Sequence, residues 1–118
     1  MGIATIKARV FNPANSSTRV ELIFTVDSGA GYSLVPENVL QELGIEPHTT
    51  KSFFLANGDE IQRKMGIAGF EYLGEITAAP VIFGEEGDAA LIGVTTLECF
   101  GFVLDPFRRE LRPMLMRL

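Results

Sequence analysis

The sequence predicts an all-β domain carrying two short helices, and three observations predict it. Apolar and polar residues alternate through much of the first quarter of the chain. An Asn57-Gly58 pair separates two β-rich runs, a strong short-range signal for a hairpin. Helical spacing of apolar residues is confined to two brief segments, each closed by a glycine. With 118 residues, 47 % of them hydrophobic and 21 % charged, the chain makes one domain, 1–118, with a modest core.

Each element follows from local pattern. Ala4, Ile6, Ala8 and Val10 share one face of a first strand, with Thr5, Lys7 and Arg9 on the other. The polar run 12–17 turns the chain, and its Asn15-Ser16-Ser17 reads as turn chemistry rather than a glycosylation acceptor. In the second strand Val20, Leu22, Phe24 and Val26 face one way, Arg19, Glu21 and Thr25 the other, and the strand ends in Asp27. Pro36 opens a short helix with Val39, Leu40 and Leu43 as its apolar stripe, and Gly44 closes it. Residues 51–70 form a long hairpin turning at Asn57-Gly58, where both residues tolerate positive φ. A strand over 75–83 contains Pro80, which marks it as an edge or bulged strand. Residues 89–94 give a short buried strand ending on Gly93, and 95–100 a brief helix stopping at Gly101. Segments 102–106 and 110–118 supply the last strands, while Cys99 and the methionines are expected to pack.

Composition narrows the function. No apolar run reaches the ~18 residues of a membrane span. The net charge of −5, with no basic run, argues against nucleic acid as a partner, and neither feature points to a membrane. The first ten residues lack the apolar core of a signal peptide, and Ile6 stands where a myristoylation pattern needs Ser or Thr. The single cysteine, Cys99, excludes an intrachain disulfide and fits a reducing compartment, so a cytoplasmic location is expected. One His and one Cys supply neither a metal cluster nor a Cys/His nucleophile pair, so no metal and no cofactor are expected, and His48 is a loop residue without a visible role.

The chemistry concentrates in Thr25–Pro36, TVDSGAGYSLVP. An acidic residue, a hydroxyl and two glycines end a strand that ought to be entering the core. The plain reading is a strand end and turn, since Asp, Ser and Gly are turn formers. A dinucleotide loop fails, because Leu34 occupies the position of the last fingerprint glycine and Pro36 interrupts the helix that would hold the pyrophosphate. A third reading gives the carboxylate a purpose: two carboxylates close together share one proton and hold an acid and a base at once. The second would have to come from another copy of the chain.

Asp27-Ser28-Gly29-Ala30 resembles the D-[T/S]-G-A signature of aspartic proteases, and Leu91-Ile92-Gly93 resembles their second signature, two apolar residues and a glycine. The order strand, D-S-G-A, helix, Asn-Gly hairpin, second signature, short helix and final strands is also similar, over roughly residues 3–113. The chain thus looks like the retroviral-type, retropepsin-like aspartic proteases and their single-domain bacterial and cellular relatives. That resemblance implies an acid-protease-like closed β domain, active as a homodimeric endopeptidase on polypeptide substrates. It implies a dyad of Asp27 from each subunit, with Ser28 bonding across the dimer axis and Gly29 leaving room for a peptide backbone. Ala30, the hairpin tip Ala56, Asn57 and Gly58, and Leu91 would contact substrate, the hairpin (about 51–66) acting as a flap. A plain surface hairpin and a core role for Leu91 stay open beside these. So does a peptide-binding or assembly module that keeps the fold without turnover. Two departures stand out: Gly31 and Val94 occupy positions where retroviral members carry an acidic residue and an arginine that pair near the interface. The flap tip is also not the glycine-rich apolar one, and the apolar tail 112–118 offers a different contact between subunits.

Overall fold

The computed structural model describes residues 4–118. The first three residues, where the reading of the N-terminus and the resemblance begin, lie outside the described residues. β1 (Ala4–Asn12) and β2 (Asn15–Val26) form an antiparallel pair in which Ala4, Ile6, Ala8 and Val10 turn inward against Phe24 and Val26. β3 (Ser33–Pro36) runs directly into α1 (Glu37–Glu42), with Pro36 as its N-cap. β4 (Thr49–Phe54), β5 (Glu60–Tyr72) and β6 (Glu75–Gly84) form a meander. β7 (Leu91–Ile92), α2 (Val94–Phe100), β8 (Phe102–Asp105) and β9 (Glu110–Pro113) complete the chain. The seven-stranded sheet has the order β1-β2-β7-β3-β6-β5-β4, and a further β1–β5 pairing closes it on itself with β4 outside the ring. Inside lie Phe24, Phe70, Phe83, Leu40 and Ile92, each essentially without solvent contact. The β1–β5 pairing covers part of the edge that β1 would otherwise leave to solvent, while β4 remains an outer edge.

Several sequence expectations need correction. Asn57 does not adopt positive φ; among the turn residues only Gly58 does, at 90°. The Gly58 N–H donates to the Leu55 carbonyl at 2.9 Å and the Leu55 N–H to the Asp59 carbonyl at 2.8 Å, which is the geometry of a three-residue loop ending in a left-handed glycine. Asn57 instead braces the loop through its side chain, its Oδ1 accepting the Asp59 N–H at 2.9 Å. This sets the hairpin register with Phe53 opposite Ile61, where a two-residue turn at Asn57-Gly58 would have set Phe54 there. The strand with Pro80 is not bulged, and it is an edge only in its first half: β6 pairs with β5 alone until Val81, where β3 joins it, and Pro80 is the last residue before that junction. β3 itself, and the two-residue turn Leu73-Gly74 with φ of 49° and 82°, were not anticipated. The tail is not a strand beyond Pro113, because Pro113 already faces Phe102, the first residue of β8; the Met114 N–H still reaches the Gly101 carbonyl at 2.7 Å, and the ladder goes no further. Cys99 is exposed rather than packed, since α2 buries Thr96 and Leu97 and turns the next two residues outward. Met65 packs in the core, but Met116 is exposed.

Candidate active site

Val26 is the last inward residue of β2, so the alternation turns Asp27 away from the core, and it is exposed in the single chain. The strand end is pinned to β7, with the Asp27 N–H donating to the Ile92 carbonyl at 3.0 Å and the Thr25 N–H to the Ala90 carbonyl at 3.2 Å. The chain then reverses. The Ala30 N–H donates to the Asp27 carbonyl at 3.1 Å, and a carboxylate oxygen of Asp27 accepts the Gly29 N–H at 2.9 Å. The carboxylate therefore organises its own loop, and a Cβ on Gly29 would stand only 3.2 Å from that oxygen. The ion pairs among the described residues leave Asp27 out, so no cation of those residues pairs with it.

The second motif holds this loop from behind. The Val94 N–H donates to the Ala30 carbonyl at 2.8 Å and the Thr95 N–H to the Gly31 carbonyl at 3.0 Å. The Gly93 N–H donates to Ser33 Oγ at 3.0 Å, and Ser33 Oγ is hydrogen-bonded in turn to Thr96 Oγ1, both side chains being fully buried. A Cβ on Gly93 would lie 2.5 Å from the Tyr32 carbonyl oxygen and 2.9 Å from that of Ala30, so only glycine allows this approach. At Gly31 and Val94, where a charged side-chain pair was noted as missing, backbone hydrogen bonds join the two segments instead.

Asp27 opens into a cavity of about 690 Å³. Gly29, Ala30 and Gly31 contribute beside it, and Tyr32, Leu34, Ile82 and Leu91 give apolar walls. From the hairpin come Phe53, Phe54, Leu55, Ala56 and Ile61. Tyr32 and Phe53 meet edge to face across the cavity, their ring centroids 6.5 Å apart. Arg63 and Asp88 line the same cavity, joined as an ion pair. Of the residues singled out from sequence, the cavity brings together Asp27, Gly29, Ala30, Ala56 and Leu91. Ser28, Asn57 and Gly58 do not line it in the single chain. Leu91 is half-buried on the cavity wall, while its neighbour Ile92 fills the core.

Sequence reasoning missed Tyr32, Phe53, Arg63 and Asp88. A signal existed for two of them: Lys51, Phe53, Ile61 and Arg63 share one face of the hairpin by period two, once the register is known. Tyr32 and Asp88 lie in loops, where no periodicity points. The Arg63 guanidinium beside Asp88 holds that carboxyl below the ordinary carboxylate range, against an opposing push from partial burial. The same contact raises the Arg63 pKa.

No family model matches the chain, and no curated protein matches it. Among solved structures it is similar to the protease of simian foamy virus (mac), with a TM-score of 0.56 and 22 % identity over 80 % of this chain and 91 % of that one. It is also similar to a retropepsin-like aspartic protease from Rickettsia conorii, with a TM-score of 0.46 and 23 % identity over 89 % of this chain and 94 % of that one. The closed sheet, the strand-end loop and the hairpin facing it, together with the likeness to the foamy virus protease, give this chain a retropepsin-like fold.

Proposed function

We propose that two copies of this chain form an aspartic endopeptidase, each contributing Asp27 to one dyad. The observation that carries the reading is the placement of Asp27: an exposed carboxylate, unpaired with any cation of the described residues, at the mouth of an apolar cavity faced by a hairpin. A single carboxylate in such a place lacks a second group to donate a proton. At a two-fold axis the partner's carboxylate supplies it, because two carboxylates in contact hold one proton between them. One then takes a proton from a water molecule that attacks the scissile carbonyl, and the other protonates the carbonyl oxygen. The Gly29 N–H fixes the orientation of the carboxylate within each loop, and Ser28, exposed in the single chain, is free to bond across the axis. An extended peptide fits the cavity as an added strand, its side chains alternating into the apolar walls.

The test is cleavage of a peptide library by the purified protein, with Asp27→Asn as control and sedimentation across a concentration series. Expected are turnover by wild type, none by the near-isosteric variant, and a dimer at active concentrations. Peptide affinity without turnover at any pH would replace the enzyme with a binding module. A strict monomer that cleaves peptides would overturn the shared dyad.

A further inference from the structure

The cavity contains one ion pair that the dyad chemistry does not use. β5 keeps its ladder to β6 only as far as Met65, opposite Ile82. From Lys64 back to the turn its ladder partner is β4 alone, with Lys51 opposite Arg63. The outer hairpin therefore projects from the closed sheet, and side chains must set where it stands. Arg63 donates from Nε to Asp88 Oδ2 at 2.9 Å and from Nη2 to Asp88 Oδ1 at 3.4 Å. Its remaining Nη1 donates to the Gln62 carbonyl at 2.9 Å and lies 3.6 Å from Glu85 Oε1. A planar guanidinium used on every side has one orientation.

The acceptor is equally fixed. The Asp88 N–H donates to the Glu85 carbonyl and Asp88 Oδ2 accepts the Glu85 N–H, at 2.9 and 2.8 Å, so the loop between β6 and β7 folds around this carboxylate. Two residues on, the Ala90 carbonyl accepts the Thr25 N–H beside the strand end that carries Asp27. The side chains of Arg63 and Asp88 are 16 % and 24 % exposed, which limits screening by solvent.

We propose that the Arg63–Asp88 pair is a positioning latch: it fixes the outer hairpin against the loop preceding β7 and so sets how the hairpin stands over Asp27. The proposal rests on the reading of this cavity as the peptide cleft, but the latch itself is measurable without catalysis. In the intact chain, hydrogen exchange of the amides of 52–61 is compared with that of β1 and β2 in Asp88→Asn, Arg63→Lys, Arg63→Met and the double variant Arg63→Met/Asp88→Asn. Asp88→Asn is expected to speed exchange in the hairpin about tenfold, corresponding to ~1.4 kcal/mol of local coupling, with β1 and β2 unchanged. Arg63→Lys keeps the charge but loses the fork, and is expected to show a smaller rise in the same segment. The double variant should add little to Asp88→Asn, because the pair is already broken. Turnover provides a second readout, with KM rising more than kcat falls. Wild-type protein that cleaves nothing would remove the protease reading and leave the exchange result to decide the latch. Unchanged hairpin exchange in the single variants, a rise spread equally over β1 and β2, or additive effects in the double variant would each overturn it.

Discussion

Gly93→Ala puts the support of the Asp27 loop to a quantitative test. The added Cβ would sit 2.5 Å from the Tyr32 carbonyl oxygen and 2.6 Å from its carbon, against 3.4 Å or more for ordinary contact. The obstructing atoms are backbone, so no side-chain rotation relieves them; the 30–32 segment must retreat by roughly 0.9 Å or the start of α2 must move away. Either movement stretches the bonds from Val94 to Ala30, from Thr95 to Gly31 and from Gly93 to Ser33. At about 0.5–1.5 kcal/mol net for each of the three bonds, the expected loss is about 1.5–4.5 kcal/mol. With a urea dependence of ~1–3 kcal/mol per molar, the midpoint should fall on the order of 1–2 M. Far-UV circular dichroism is the suitable probe because the chain has no tryptophan. Protein concentration must be held constant, since dimerisation contributes to the midpoint. A shift of this size in the loop also displaces Asp27, and a misplacement of about 1 Å can cost roughly a hundredfold in rate. A midpoint within about 0.3 M of wild type, beyond the uncertainty usual for such curves, together with undiminished cleavage, would refute the close approach as the reason for glycine.

Thr96→Val leaves the buried Ser33 hydroxyl with only the bond it accepts from the Gly93 N–H, in a nearly unchanged volume, and should lower stability by about 1–3 kcal/mol in the same urea assay. Equal midpoints would show that the hydroxyl pair does not support the loop. An added Cβ at Gly58 meets no atom within 4 Å, so the cost of Gly58→Val comes from the positive φ of 90°, about 1–2 kcal/mol for a residue with Cβ. Cleavage should fall more than thermal stability, and unchanged kinetics would leave the hairpin without a part in turnover. The Asp88 carboxyl is held below its ordinary value by Arg63, so the stability it contributes is fully present above the unfolded carboxylate range and is lost as pH falls through its lowered folded value. Hairpin exchange, corrected for its intrinsic pH dependence, should therefore stay flat from neutral to mildly acidic pH and rise only below about pH 4; a rise between pH 7 and 5 would mean that another group holds the hairpin. Cleavage needs one proton shared between two carboxylates, so the rate should fall on both sides of an optimum, and a steady increase towards alkaline pH would point to a different nucleophile.

The parts of this fold that were legible in the sequence are those whose cause is local. Val20 to Val26 alternate because one face of β2 packs inward, and the same alternation predicts that Asp27 leaves the core. Pro36 and Gly44 bound α1, and Gly101 ends α2 with φ of 82°, through backbone preferences that a single residue carries. β3 was not legible, and the strand expected over 89–94 shrinks to the two residues of β7, because the order of both comes from elsewhere: β7 exists as a strand only between β2 and β3. The tail carries strand-like residues, but β8 ends opposite Pro113, and the tail is irregular after it.

The hairpin shows how one local misreading propagates to the site. Asn57-Gly58 signals a turn correctly, yet the turn type depends on which residue takes positive φ, and that decides the register. With the observed loop, Phe53 opposes Ile61 and Lys51 opposes Arg63, so Phe53 joins Ile61 and Arg63 on the cavity side. A two-residue turn would instead set Phe53 opposite Gln62; β5 keeps its facing through its ladder to β6, so β4 would slip and Phe53 would turn to the outer face, away from Tyr32. Composition and periodicity would be identical in the two cases. The aromatic wall that Phe53 builds with Tyr32 therefore follows from the left-handed conformation of Gly58, and a variant that forced both turn residues to positive φ should lose the Tyr32–Phe53 contact without any change at either residue.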